Sequence, residues 1–485
     1  MAIILPGNVA SALPTGYNVA NSCRFNNDDS PYLTRNMASQ GSSIKGSFSA
    51  WVKWSNNNTD KCLMTHYFNN SFFFSIHSQD NNTFAVKDKR SSNILSYETS
   101  TIYEDTSSWY NFVVIVDRSL ATANDRVKIF INGTQITTST GLTISQAYDQ
   151  QTSGSHSGNH SMNNDYTLEV GRNQALNNDG HMDGYIAEMV WLDGVAKSVT
   201  DFGEFDADTP TIWKPKDVSD LSSEKGTNGF WLDFEDSSNL GNCAFGGTDF
   251  TVNNLAATDQ SVDSCTNNFA TFNFLDNSNS QYAFSEGNLV GTYSGSNGSG
   301  TGTTSTFGVS QGKWYWELKY DSANDSPLRL GITDRVASGT GSTFRTGFGD
   351  NDRCYDQGDG KIYTNDIGSS YGSAFSVGDT IGVALDLDNN KIYFRVNGTY
   401  QNSGNPAANS NGFSITDPAS TANGFYFAVV GLVSGSGVAQ VSYNFGSPPY
   451  SESGGNSDGN GYGNFAGSVP ANYYSLNTKN IAEYG

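Results

Sequence analysis

The chain has 485 residues, room for roughly two to four domains, and its 13% aromatic and 36% hydrophobic content is enough to fill packed cores. Only 15% of residues are charged, so Asn, Ser, Thr and Gly must build the polar surface, a turn-rich composition with 52 Gly that disfavours long helices. A net charge of −22 opposes both a phosphate backbone and an anionic membrane surface, which makes nucleic acid a poor partner, and no apolar run approaches the roughly 20 residues of a spanning helix, which argues against membrane insertion.

The first residues, MAIILPGNVASALPTGYN, start apolar but lack a basic segment, and Pro6 cuts the apolar run short, so they do not read as a signal peptide. The expectation is synthesis in a cytoplasm without secretion. The five cysteines are odd in number and share no CxxC spacing, which argues against a disulfide framework and against a zinc site.

Residues 23–35 (CRFNNDDSPYLTR) read as two extended pieces around a polar turn. Residues 47–54 (SFSAWVKW) alternate, with Phe48, Ala50, Val52 and Trp54 on one face and Ser47, Ser49, Trp51 and Lys53 on the other. Residues 109–133 form a hairpin: Phe112, Val114 and Val116 alternate before a polar turn, Val127, Ile129 and Ile131 alternate after it, and Asn132-Gly133 closes the unit. These motifs, with residues 183–194 (DGYIAEMVWLDG), resemble a laminin-G-like or pentraxin-like domain of the concanavalin A superfamily. That resemblance implies a two-sheet jelly roll over residues 1–200, binding glycans or proteins through its rim loops.

Residues 201–277 change character, with Pro210, Pro215 and short helix-compatible pieces, and are expected to be a partly structured connector. Within them, residues 249–254 (DFTVNN) and 267–276 (NNFATFNFLD) resemble a connector found in tailed-bacteriophage proteins that carry similar sandwich modules.

The hairpin then recurs. In residues 378–398 (GDTIGVALDLDNNKIYFRVNG), Ile381, Val383 and Leu385 alternate, Asn389-Asn390 reverses the chain, Ile392, Phe394 and Val396 resume, and Asn397-Gly398 closes. Residues 312–320 (GKWYWELKY) place Trp314, Trp316 and Leu318 on one face and Tyr315, Glu317 and Lys319 on the other. With residues 328–334 (LRLGITD) and 355–363 (YDQGDGKIY), these motifs resemble a SPRY domain over residues 278–447, in the family's order and spacing. The resemblance implies a second concanavalin A-like sandwich whose relatives bind partners by rim loops and are not enzymes. The fold expected overall is all-β: two antiparallel sandwiches in tandem, joined by the connector.

Residues 447–467 are a low-complexity stretch, expected to be irregular or mobile, that opens the C-terminal segment of residues 448–485. Residues 471–481 (ANYYSLNTKNI) return to apolar and aromatic side chains, resemble a terminal motif of phage proteins, and are expected to dock and to anchor the chain to a particle.

No catalytic residues are expected. Carboxylates at alternate strand positions suit glycoside hydrolysis, where the pair stands about 5 to 9.5 Å apart, but Glu204, Asp206 and Asp208 lie in the connector, and Asp388 of the Asp386/Asp388 pair abuts a turn. His156, His160 and His181 with Asp183 invite a transition-metal reading that their Ser/Gly/Asn surroundings do not support. No cofactor is assigned. Calcium suits rim loops rich in Asp and Asn, and the laminin-G-like resemblance implies it, but no loop has an EF-hand pattern and no ligands are named.

The candidate binding residues are Arg335, Phe344, Arg345, Arg353, Tyr355, Tyr363 and Tyr371, aromatics and arginines expected to be exposed on the long loops of the second sandwich. Together the resemblances imply a non-enzymatic phage virion protein, tail-fibre-like or capsid-decorating. Its expected partners are other virion proteins, further copies of itself on the particle, and a host-surface glycan or protein. A stand-alone lectin is the first alternative and a glycoside hydrolase the second.

Overall fold

The computed structural model describes residue 4 and residues 16–37, 39–152, 161–277, 281–295, 301–322, 327–336, 344–433 and 437–485. It is all-β: strands in antiparallel sheets, with a single short α-helix, Thr478–Tyr484, among the described residues. The chain divides into two compact units, one of Pro14–Thr266 and one of Asn267–Gly485 to which Ile4 also belongs, its amide donating to Thr306 O at 2.8 Å.

In the first unit one sheet runs in the order Thr134–Ile136, Val127–Ile131, Tyr110–Asp117, Lys45–Trp54, Gly184–Asp193, Ser22–Phe25 and Gln260–Ser261. The other runs Leu142–Gln146, Ser92–Ile102, Thr83–Arg90, Phe72–Ser78, Lys61–Asn69, Thr167–Val170, Tyr32–Asn36 and Thr251–Asn253. Between them lie the alternating residues read from the sequence, including Phe48, Val52, Trp54, Phe112 and Val114, with Phe112 stacked on Phe84 of the facing sheet at 4.4 Å.

The expected connector is not separate: residues 201–266 are part of this unit, and residues 267–277 belong to the second. Phe230–Leu232 pairs with Gly184–Asp193, Thr251–Asn253 with Tyr32–Asn36, and Gln260–Ser261 with Ser22–Phe25. Its apolar side chains Phe230, Leu232 and Phe250 complete the core, and Trp213 joins Trp51, Val19 and Ala187 in a second apolar layer. Short strands separated by polar turns read as a linker in sequence because each is too short to show a period.

The second unit repeats the arrangement. One sheet runs Tyr282–Ser285, Val290–Gly295, Gly437–Asn444, Lys313–Ser322, Thr380–Asp386, Lys391–Val396 and Thr399–Tyr400. The other holds Phe272–Asn277, Thr303–Val309, Tyr426–Leu432, Leu328–Thr333, Arg353–Asp356, Lys361–Thr364 and Ile367–Ser370. In both units the recurrent hairpin lies beside the aromatic-rich strand, which pairs on its other side with a late strand of the unit.

The C-terminal residues pack within the second unit. The low-complexity stretch is irregular but packed: Phe465 is fully buried against Tyr315, their rings meeting edge to face at 5.1 Å. The last stretch docks on its own sandwich, with Tyr474–Ser475 pairing in parallel with Lys313–Ser322 and with Leu476 and Ile481 in the core. Leu476 and Ile481 are thus spent inside the unit, while Tyr474 and Tyr484 stay half-buried at its surface.

Candidate functional site

Loops far apart in sequence meet at one rim of the first unit. They enclose a cleft of about 280 Å³ lined by Asn27, Ser30, Asn58, Thr59, Asp60, Asp80, Asn177 and His181. Left-handed backbone at Ser30 (φ 55°) and Asn58 (φ 60°) turns two of these loops inward. Asn58 takes its backbone amide to Asn82 Oδ1 at 2.8 Å while Asn82 Nδ2 donates back to Asn58 Oδ1 at 3.2 Å. Asp60 ties three loops together, since its two oxygens accept the amides of Asp80 and Asn177, each at 3.2 Å.

Beneath this rim Lys61 is 1% exposed. Its ammonium donates to Asn56 O and Oδ1, both at 3.3 Å, and to Thr59 O at 3.2 Å. Burial pushes it down to about 8, against the pull of Asp183 and Asp60. These contacts bear on calcium. The oxygens beneath the rim already hold an internal cation, the Lys61 ammonium, whose charge opposes a calcium ion there. Among the described residues no three His, Cys, Asp or Glu side chains converge on a metal position. His181 faces the cleft and its Nδ1 lies 3.4 Å from Pro31 O; His156 and His160 lie outside the described residues.

The alternating carboxylates have structural partners. Lys214 lies 3.3 Å from Asp206 and 3.6 Å from Glu204. Asp386 is fully buried and pairs with Lys313 at 3.0 Å, while Asp388 Oδ1 accepts the amide of Gly312 at 3.0 Å.

In the second unit the seven candidate residues separate into two groups. Tyr355 and Tyr371 are not on the rim: Tyr355 is fully buried, stacks on Phe375 and Phe394 at 5.6 and 5.2 Å, and donates to Ser373 O. Tyr371 OH accepts the amide of Phe394 at 3.1 Å. Phe344 is also buried, packed with Cys354 and Val429. These positions read as loop aromatics because the strand Arg353–Asp356 is only 4 residues long, too short for its alternation to stand out.

The remaining four gather around one loop. Arg335 pairs with the buried Asp352 at 2.5 Å, donates to Arg345 O at 3.0 Å and lies 4.6 Å above the Phe344 ring. Arg353 donates to Ser414 O and Asp352 O at 3.0 and 2.7 Å. Tyr363 is half-buried under the Arg329 guanidinium at 3.5 Å. Arg345 is half-exposed, lies 5.3 Å from the Phe348 ring, and has no ion pair among the described residues.

Opposite this sheet, the C-terminal stretch closes over a buried polar network. Glu317 accepts from Arg395 at 2.7 Å, from Tyr315 OH at 2.7 Å, and from the amides of Ala466 and Gly467 at 2.8 and 3.1 Å. Arg395 also donates to Ser468 O at 2.8 Å.

The family model for the SPRY domain matches residues 313–442. Residues 313–442 are a SPRY domain. The strands before residue 313 and the docked stretch after residue 442 belong to the same unit. Over 98 residues, 20% of this chain, the sequence is 39% identical to the ATP-dependent RNA helicase DDX1 of Xenopus laevis. The matched part spans 12% of that relative's length. Among solved structures, the SPRY domain of human HERC1 is 18% identical, with 32% of this chain and 87% of that one covered and a TM-score of 0.24. A human SPRY domain is 16% identical, with 36% and 97% covered and a TM-score of 0.25.

The cleft in the first unit escaped sequence reading. Asn58, Asp60, Asp80 and Asn177 each look like ordinary turn residues, and only the fold brings them together. A signal was present: several Asn/Asp pairs fall at strand ends of one sandwich, and alternate strand ends share a rim.

Proposed function

We propose that this chain is a non-enzymatic virion protein, tail-fibre-like or capsid-decorating, that holds a host-surface glycan or protein through its loop rims. The polar cleft carries the reading. Its lining of amides, hydroxyls and carboxylates offers paired donors and acceptors without a basic patch, which is the complement of sugar hydroxyls. The protein arm rests on the SPRY domain, a protein-interaction module, and on Arg345 beside Phe348, a cation and a ring at the surface of the kind that anchors protein contacts.

Asp80 is the residue to change, because Asp60 holds the loops. Asp80→Ala should weaken attachment of the full chain to host cells without lowering its melting temperature, and antibody raised against the chain should label intact virions. Unchanged attachment would remove the cleft from the reading, and unlabelled virions would favour a stand-alone lectin.

A further inference from the structure

At the end of the first unit away from the cleft, four neighbouring strands finish in a row of three aromatic side chains and an arginine. Phe68 ends Lys61–Asn69, Phe72 begins Phe72–Ser78, Tyr166 precedes Thr167–Val170, and Arg90 ends Thr83–Arg90. Two residues further in, Phe74 and Leu168 lie in the core, so Phe72 and Tyr166 continue the core-facing side of the sheet outward. The row is ordered by its own contacts. Phe68 stacks on Tyr166 at 4.9 Å and 24° and meets Phe72 edge to face at 6.2 Å. Arg90 lies 5.4 Å from the Phe72 ring and donates to Tyr166 OH at 2.6 Å.

Phe68 is nevertheless 60% exposed. The register with the next strand slips between Tyr67 and Asn69, so Phe68 is the extra residue of a β-bulge. Bulges re-aim side chains, and this one turns a phenylalanine toward water when a regular strand would have kept its neighbours' alternation. Polar groups flank the rings. Asn70 Oδ1 accepts from Tyr67 OH at 2.7 Å and Asn69 Oδ1 accepts the Ser71 amide at 2.8 Å, which leaves both side-chain amide nitrogens without a hydrogen bond among the described residues. Arg90 Nε is itself buried, so Arg90 orders the row through Tyr166 rather than facing a ligand.

We infer that the Phe68–Tyr166 face is a second saccharide-binding site, on which the C–H face of a pyranose packs while Asn69 and Asn70 donate to its hydroxyls and Arg90 holds Tyr166 in place. Three rings are too little apolar surface for a stable protein interface, which takes about 800 Å² from each partner, but they match one or two sugar rings. The flanking groups are unpaired donors, the complement of hydroxyl oxygens. The inference extends the glycan reading to a separate surface and does not need the cleft.

The test is calorimetric titration of the full chain with cellohexaose, maltohexaose, chitohexaose, mannan and polygalacturonate. Parent protein should bind at least one of them, and Phe68→Ala should weaken that binding by about tenfold, the loss of one ring contact with its packing. The exposed position keeps this variant folded, checked by an unchanged near-ultraviolet spectrum. Asp80→Ala should retain the Phe68-dependent binding, which separates failure of the cleft from failure of this site. Binding by Phe68→Ala equal to the parent overturns the inference. So does a parent that binds none of the five, and so does a Phe68→Ala variant that changes only the oligomeric state.

Discussion

Asn397 Oδ1 accepts the backbone amide of Thr380 at 2.9 Å, and the Asn397 amide returns the bond to Thr380 O at 2.9 Å. The first unit holds the same two-way clasp between Asn132 and Asn111, at 2.8 and 2.9 Å. Both asparagines have left-handed backbone, φ 47° in each, and both are followed by a positive-φ glycine. The clasp ties the closing turn of the recurrent hairpin to its opening strand, so the repeat read in the sequence extends to a matching set of hydrogen bonds. Asn132→Ala and Asn397→Ala should each cost about 1–2 kcal/mol, from a lost bond and a left-handed alanine. In calorimetry each variant should shift only the transition of its own unit.

Trp316 lies in the core of the second unit at 1% exposure, with Trp314 and Leu318 on the same face. Trp316→Ala should cost about 3–5 kcal/mol through the cavity it leaves. Chemical denaturation read by a probe in the second unit checks this, and a shift near zero would show that the strand packs the other way round.

The alternation in residues 312–320 was legible because a ten-residue strand shows its period, and the face carrying Trp316 is the one the sequence selects. Tyr315 and Glu317 on the other face look solvent-facing by the same rule, yet both are fully buried. What covers them is a glycine- and serine-rich stretch more than a hundred residues later, whose contact is made by backbone amides and one phenylalanine. Low complexity hides that kind of contact, since the amides of Ala466 and Gly467 have no side-chain signature. Tyr355 failed in the opposite direction, an interior residue on a strand too short to show a period. The cleft went unread for a third reason: Asp60 and Asp80 gain meaning only from three loops meeting.

The Glu317 network makes the C-terminal stretch part of the second unit's stability. Glu317→Ala leaves Arg395 buried without its carboxylate and should cost about 3–5 kcal/mol. Removing residues 464–485 should destabilise the second unit further by uncovering Tyr315 and Tyr393 and deleting Leu476 and Ile481 from the core. The transition of the first unit should stay where it was. A truncated chain whose second unit melts like the parent would mean that the cover is dispensable.

Glu188 gives the first unit a pH dependence. It sits at a register slip between Ala187 and Val190 with φ 49°, backbone that a glutamate adopts only under constraint. Trp231 Nε1 donates to one carboxyl oxygen at 3.0 Å and Tyr17 OH lies 3.3 Å from the other. Burial, and to a lesser degree the charges of Asp233 and Glu235, push the carboxyl from 4.5 up to about 8. The folded chain therefore keeps this proton where the unfolded chain has released it. Its contribution to stability is whole below pH 4.5, is lost progressively as pH rises, and is gone above about 8. Glu188→Gln keeps the shape and removes the titration, so its first-unit melting temperature should match the parent near pH 4.5 and exceed it at pH 8. A parallel offset at every pH would show that Glu188 is ionised in the folded chain and that another group carries the slope.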